Sequence, residues 1–368
     1  MTIYIVFLIF ILAIAFFYYY VKPKNKKNEL RFLNIVWIAM FLLCALRASS
    51  VGRDLPGYEN VYNYSFNCAW GDFEYVYFEN GYILLMKVCS KALNMSFRQF
   101  LAFVTAVIMF PIYIYIRKYS SNYFLSTIVY VGYIFFEFNM TGLRQAIAAS
   151  IVLVAYMVYI SAKQYNVFYY TAIVILAAQF HKAAWICLVF LIFIIIRNLK
   201  VYIAAASCFS VALIFARGAI MSIIKDFFEK ETMNSDASVY FGLNAIFTLA
   251  LIVLFLLSYY NLIHSNKFGS LSESDKLLVK RKNEINLKLF TLAIPITILF
   301  GADTAARSYM MFSQTIIIQL PNAIDSWNMK DKAIMKKVFV VFFIIFFFTN
   351  TLLPNNFDIV PYYFFWQK

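Results

Sequence analysis

The chain has 368 residues, of which 63% are hydrophobic, 20% aromatic and only 14% charged, with a mean hydropathy of +0.74. That balance excludes a pair of water-soluble domains. A net charge of +14 would suggest nucleic acid in a soluble protein, but in so apolar a chain basic cytoplasmic loops account for it, and no nucleic-acid partner is expected.

Apolar runs at about 3–20, 33–50, 98–116, 121–137, 143–161, 166–181, 183–197, 201–217, 239–263, 287–302, 306–321 and 338–353 predict an all-α, polytopic integral membrane protein with about twelve transmembrane helices in a single domain, 1–368. Many of these runs are long enough to cross roughly 30 Å of hydrocarbon, and lipid requires such segments to be helical. The first run lacks a basic leader and a small-residue cleavage motif, so it reads as a retained helix. Residues 51–97 form a long outer loop with Gly52, Pro56, Gly57 and Gly71. Its amphipathic stretch 75–94, with Glu79, Lys87 and Lys91, is expected to lie in the interface or dip into the bilayer. A second outer loop spans 218–238, a mobile lid or a solvated loop, and the serine- and lysine-rich 264–286 reads as a plain cytoplasmic loop. Cys44, Cys68, Cys89, Cys187 and Cys208 are scattered, which predicts neither a disulfide framework nor a metal centre.

Twelve crossings put both termini on one side. The linkers 21–32, 117–120, 162–165, 198–200, 264–286 and 322–337 share the other, which holds 20 of the 32 Lys/Arg and 6 of the 18 Asp/Glu. The positive-inside rule makes that side cytoplasmic and places both termini outside. The charges are also sorted by kind. Lysine dominates the inner linkers, whereas Arg47, Arg53, Arg98, Arg144, Arg217 and Arg307 lie toward the outer face. Arginine presents a planar fork suited to phosphate or carboxylate. Such residues either grip an anion or snorkel and pair with nearby acids.

Four constellations carry possible chemistry. Arg47-Ala-Ser-Ser-Val-Gly-Arg-Asp54-Leu-Pro-Gly-Tyr58 combines a permissive glycine with a Pro-Gly turn, which would hold Arg53 and Asp54 near the mouth of a site. They either pair to stabilise the loop or act on a ligand. Glu137-Phe-Asn-Met-Thr-Gly-Leu-Arg144-Gln145 places Arg144 at the start of a helix, where free N–H groups and the dipole favour an anion. Gln179-Phe-His181-Lys182 sits between two apolar runs; its histidine can transfer a proton, hydrogen-bond a head group or cap a helix, and as a lone histidine supports no metal site. Gly301-Ala-Asp303-Thr-Ala-Ala-Arg307-Ser-Tyr309 places Asp303 and Arg307 on one helical face, to pair with each other or to grip an anionic substrate. Arg217, beside Gly218, sits at an ordinary helix exit.

The order Arg…Gly-Arg-Asp-x-x-x-Tyr near residue 50, Glu79-x-Gly81-Tyr82, Gly142-Leu-Arg144-Gln145-x-Ile-Ala, Gln179-Phe-His181-Lys182-Ala and Asp303…Arg307-x-Tyr309 resembles the EpsG-like, Wzy-type polysaccharide (O-antigen) polymerases over about residues 45–310. The resemblance implies a GT-C-like polymerase/ligase architecture in the bacterial inner membrane. It also implies polymerisation of undecaprenyl-diphosphate-linked repeat units into O-antigen, capsule or exopolysaccharide at the periplasmic face. That reaction needs no cofactor, and a flippase and a chain-length regulator would be its partners beside the lipid-linked donor, the acceptor and membrane lipids. For such chemistry the diphosphate leaving group falls to Arg144 and Arg307, supported by Arg53, Arg47 and Arg217. A general base would come from Asp54, Glu137 or His181, with Glu79 behind them. Tyr58, Tyr62, Trp70, Tyr82, Gln145 and Tyr309 are candidate sugar contacts, although an aromatic interface belt explains many such rings equally well. A flippase or transporter of lipid-linked sugars, an O-antigen ligase-like enzyme and a membrane acyltransferase are the rival classes.

Overall fold

A computed structural model describes residues 1–161, 166–228, 243–296, 308–327 and 329–367. The helices run in chain order α1 Thr2–Phe16, α2 Lys26–Ala45, α3 Leu55–Ser65, α4 Asn80–Lys87, α5 Phe97–Tyr119, α6 Tyr123–Gly132, α7 Phe135–Thr141, α8 Leu143–Ser161 and α9 Asn166–Ala178. They continue with α10 Val189–Ile194, α11 Leu199–Phe228, α12 Leu243–Ile263, α13 Asn266–Gly269, α14 Glu273–Thr291, α15 Ile316–Asp325 and α16 Met329–Phe346. Polar caps fix several starts. The Asn25 side chain accepts from the Asn28 amide, Ser96 and Gln99 form a reciprocal capping box, and Asn122 accepts from Leu125.

Seven helices are long and apolar enough to cross a membrane among the described residues, and an eighth span results if α6 and α7 count together. This makes the protein an all-α polytopic membrane protein. The expected span 121–137 is broken at Tyr133, whose backbone is extended, and the two halves meet at 53°. The runs at 166–181 and 183–197 yield shorter apolar helices. The expected loop 264–286 is mostly helix, because Ser272 caps α14 and the chain stays helical into its buried half at Ile285–Thr291. The first part of 218–238 continues α11 to Phe228, and the rest lies outside the described residues.

At the centre stands α8, whose best apolar window is 72% buried, against 11% for the last span. It packs on α5 and α9, α2 lies between α5 and α6, and α6 packs on α16. That last contact is close: a Cβ on Gly132 would stand 2.6 Å from the Cβ and carbonyl oxygen of Phe343. At the lysine-rich end, α14 ties three neighbours together through their terminal carbonyls. Arg281 donates to Tyr159 O at the end of α8, Lys282 to Tyr119 O at the end of α5, and Lys288 to Ile196 O beyond α10. Burial pulls the Lys282 ammonium down to about 8.

At the other end the amphipathic stretch folds onto protein. Tyr82, Ile83 and Met86 are buried, and the fully buried Lys87 ammonium donates to the carbonyls of Ala69, Trp70 and Asp72. The chain after the last span also returns here. Ala48 donates to Tyr363 O, Phe365 to Leu46 O, Gly52 to Asp358 O and Arg53 N–H to Phe357 O.

Because a methyl group at Gly132 meets backbone, Gly132→Ala is expected to destabilise the protein by about 1–3 kcal/mol in detergent melts. Gly218→Ala, where a Cβ meets nothing within 4 Å, should leave the melt unchanged or raise it. Equal effects at both positions would contradict the packing of α6 on α16.

Candidate functional site

The site is built around Arg144, second residue of α8. Its Nη1 donates to Glu79 Oε2 at 2.7 Å, its Nε reaches Tyr58 Oη at 3.5 Å, and its guanidinium lies 4.1 Å from the centre of the Phe78 ring. Both ion-pair partners are mostly shielded, at 21% and 11% side-chain exposure. Glu79 is the residue before α4, and its other oxygen accepts the Lys182 backbone N–H at 3.0 Å. One carboxylate therefore links α8 to the turn that carries His181. His181 itself caps the next helical turn, its Nδ1 accepting from the Ala183 amide at 3.1 Å.

Two glycines allow the segments to meet. Gly81 N–H donates to Gln179 O at 2.9 Å, and a Cβ on Gly81 would stand 2.7 Å from Gln179 Cβ and O. Gly52 has φ +115°, a left-handed conformation that side chains resist, and a Cβ there would meet Met140 O at 2.5 Å. Beyond Gly52, the Asp54 amide donates to Thr141 Oγ1 at 3.2 Å. This seats the start of α3 against the end of α7, three residues before Arg144, with Tyr58 one turn further along α3.

Burial alone would raise the Glu79 carboxyl. The positive field of the His181 imidazole, the Arg144 guanidinium and the Lys182 N–H outweigh it and hold the group below its usual 4.5. Burial pushes the phenols of Tyr58 and Tyr82 up, so both stay protonated at physiological pH.

The structure thus brings together Asp54, Tyr58, Glu79, Arg144 and His181, with Tyr82 packed behind Tyr58 at 5.7 Å between ring centres. Gln145 is buried next to Arg144. Arg53 stands at the rim, more than half exposed, its Nε 3.0 Å from Asp358 Oδ2. Trp70 is half exposed in the segment between α3 and α4, beside Lys91. Other expected members sit elsewhere. Arg47 is 1% exposed and donates to the carbonyls of Cys44 and Met140. Glu137 is buried on α7 within electrostatic reach of Tyr4 of α1, and one of its oxygens has no partner among the described residues. Tyr62 donates to Met95 O and stacks on Phe100, and Tyr309 shares hydrogen bonds with Tyr133 and Thr248 in the core. Arg307 and Asp303 lie outside the described residues, as does the side chain of Arg217.

Two contributors escaped the sequence reading. Phe78 was legible as the neighbour of Glu79. Asp358 had no local signal, since it lies 305 residues from Arg53. No group of three or more His, Cys, Asp or Glu that could hold a metal occurs among the described residues.

These features define a polytopic membrane protein with a shielded arginine–carboxylate site at the end of its bundle opposite the lysine-rich linkers. The chain belongs to the EpsG family, whose model matches residues 30–364. No curated protein and no solved structure matches it. Four of the five sequence elements that carried the resemblance meet at Arg144.

Two outcomes follow from this geometry. Glu79 has a depressed folded pKa, so its contribution is present above the ordinary carboxylate range and lost as pH falls through the folded value. Glu79→Gln should cost about 2 kcal/mol near neutral pH, and the gap to wild type should narrow as melts are taken down through and below the ordinary carboxylate range. A pH-independent cost would mean that Glu79 is not ionised in the fold. Gly81→Ala, whose methyl group would meet Gln179, should separate Glu79 from the Gln179–His181 turn and destabilise the protein by about 1–3 kcal/mol in detergent melts.

Proposed function

We propose that the protein extends a glycan by joining undecaprenyl-diphosphate-linked repeat units at the outer face of the bacterial inner membrane. In that reaction an acceptor sugar hydroxyl attacks the anomeric carbon of the donor. The anomeric C–O bond breaks, the lipid diphosphate leaves with the electron pair, and the hydroxyl proton passes to a base. The observation that carries the reading is Arg144, set at the start of a buried helix and oriented by Glu79 and Tyr58.

Negative charge grows on the departing diphosphate. A guanidinium fixed in a low-dielectric site stabilises that charge more than water does, without reorganising during the step. Arginine carries five N–H donors, and the contacts to Glu79 and Tyr58 engage two of its nitrogens, so the remainder serves the diphosphate. Arg53 at the rim, and Arg307 by its place in the sequence pattern, are the further proposed ligands of the diphosphate. Glu79 bonds both Arg144 and the Lys182 amide, which makes it the orienting group. Asp54 and His181 remain the candidate bases. Tyr58 and Tyr82 frame the site, and Trp70 offers a more exposed face for a sugar.

The sidedness belongs to the same reading. The lysine-rich linkers face the cytoplasm, the Arg144 end and both termini face outward, and about twelve crossings in a GT-C-like layout connect them. Membership of the EpsG family supports an enzyme of this class. A flippase would need polar groups along the path, whereas the described members of this site gather at one end.

Reconstitution with purified undecaprenyl-diphosphate-linked repeat units tests the proposal. A ladder of chain lengths is expected; transfer of a single block to another acceptor, or movement without new bonds, would assign a different class. Arg144→Ala should reduce polymer about 100-fold or more while leaving insertion intact. Arg144→Lys should recover only part of it, since an ammonium is a point charge without the fork. Long polymer from Arg144→Ala would remove the residue from the mechanism.

A further inference from the structure

A groove of about 350 Å³ lies between α2 and α5, flanked by the exposed Ile38 and Phe110. Trp37 and Phe41 of α2 and Ala106 and Phe110 of α5 line it, and Asn34 and Tyr113 close one end. Its walls are fixed. The Trp37 indole N–H donates to Met109 O at 3.2 Å, and the Tyr113 hydroxyl donates to Asn34 Oδ1 at 2.7 Å. Ala106 is small, so the groove stays open between larger neighbours.

The polar end points to the occupant. Arg31 lies three residues before Asn34 on α2, and Arg117 four residues after Tyr113 on α5. Each therefore continues the groove-lining stripe of its helix toward the lysine-rich end. Both are exposed, and Arg117 is in the last turn of α5. Glu29, the nearest acid in sequence, pairs with Lys26 at 3.6 Å. Arg31 Nη1 donates to Asn28 Oδ1 at 3.2 Å, and neither arginine has an ion pair among the described residues, so an apolar slot continued by two arginines matches one acyl chain beside one anionic headgroup. We infer that this groove is a binding site for an anionic phospholipid, with an acyl chain seated against Trp37 and Ala106 and the headgroup phosphate held by Arg31 and Arg117.

The site is distinct from the proposed substrate site. Arg281 and Lys282 of α14 bond the final turns of α8 and α5, so Arg117 lies at the end of the bundle opposite Arg144, the second residue of α8. The inference does not depend on the proposed activity.

Native mass spectrometry of the full-length protein in detergent, titrated with dioleoyl phosphatidylglycerol or dioleoyl phosphatidylcholine, tests it. Wild type should retain one phosphatidylglycerol in preference to phosphatidylcholine. Replacing both arginines, Arg31→Gln with Arg117→Gln, should weaken phosphatidylglycerol retention about thirtyfold, since each cation contributes on the order of 1 kcal/mol at a membrane surface. Ala106→Trp fills the slot and should reduce retention of both lipids, with an unchanged melt confirming the fold. Equal retention of the two lipids, or unchanged retention in the double variant, would overturn the site. So would tighter retention of undecaprenyl phosphate than of phosphatidylglycerol, which would mark a polyprenyl seat instead.

Discussion

A carbonyl at a helix end or in a buried loop within or beside lipid has little water to bond, and this protein supplies many of the missing donors from its cations. Arg47 bonds the carbonyls of Cys44 and Met140, Lys87 those of Ala69, Trp70 and Asp72, and Arg281, Lys282 and Lys288 the ends of α8, α5 and the chain after α10. These contacts hold both ends of the bundle. They also separate two kinds of basic residue. A guanidinium or ammonium fixed on buried carbonyls cannot leave them without orphaning acceptors, which costs about 1–3 kcal/mol each. Arg144 is held instead by a carboxylate, a phenol and a ring, all of them side chains rather than backbone carbonyls.

Close backbone approach is the second requirement. Gly52 against Met140 and Gly81 against Gln179 bring the exit of α2, the start of α4, the end of α7 and the turn after α9 to one place. The chain after the last span then covers the exit of α2 through paired backbone hydrogen bonds and the Arg53–Asp358 contact. The site is thereby assembled from segments drawn from the whole length of the protein, and each joint depends on a glycine or a backbone pair that a larger side chain would disturb.

Much of the fold was legible because its signals are local. Apolar runs marked the spans, and Gly142 followed by Arg144 marked a charged helix N-terminus. The Glu79, His181 and Arg144 elements were legible as separate motifs, and their meeting was not. Arg47 and Glu137 read as site candidates because each is a charge next to a motif, and their burial toward α1 and the returning chain had no local signal. Tyr62 and Tyr309 were equally ambiguous: a tyrosine suits a sugar face or a core hydrogen bond, and the neighbour that decides lies 33 residues away for Tyr62 and 176 for Tyr309. The break of α6 and α7 at Tyr133 was hidden because both halves are apolar, so hydropathy runs smoothly through the 53° bend.

The sequence by itself determined that this is an all-helical membrane protein with a lysine-rich end and an arginine-bearing end, because hydropathy and charge act through the solvent each residue prefers. It also set the chemistry on offer: a guanidinium, carboxylates, an imidazole and phenols beside helix starts. Only the tertiary structure decided which charges bond backbone carbonyls and which bond other side chains. That choice rests on the nearest unpaired acceptor in three dimensions. For Arg47 and Lys87 it was a backbone carbonyl, and for Arg144 it was Glu79.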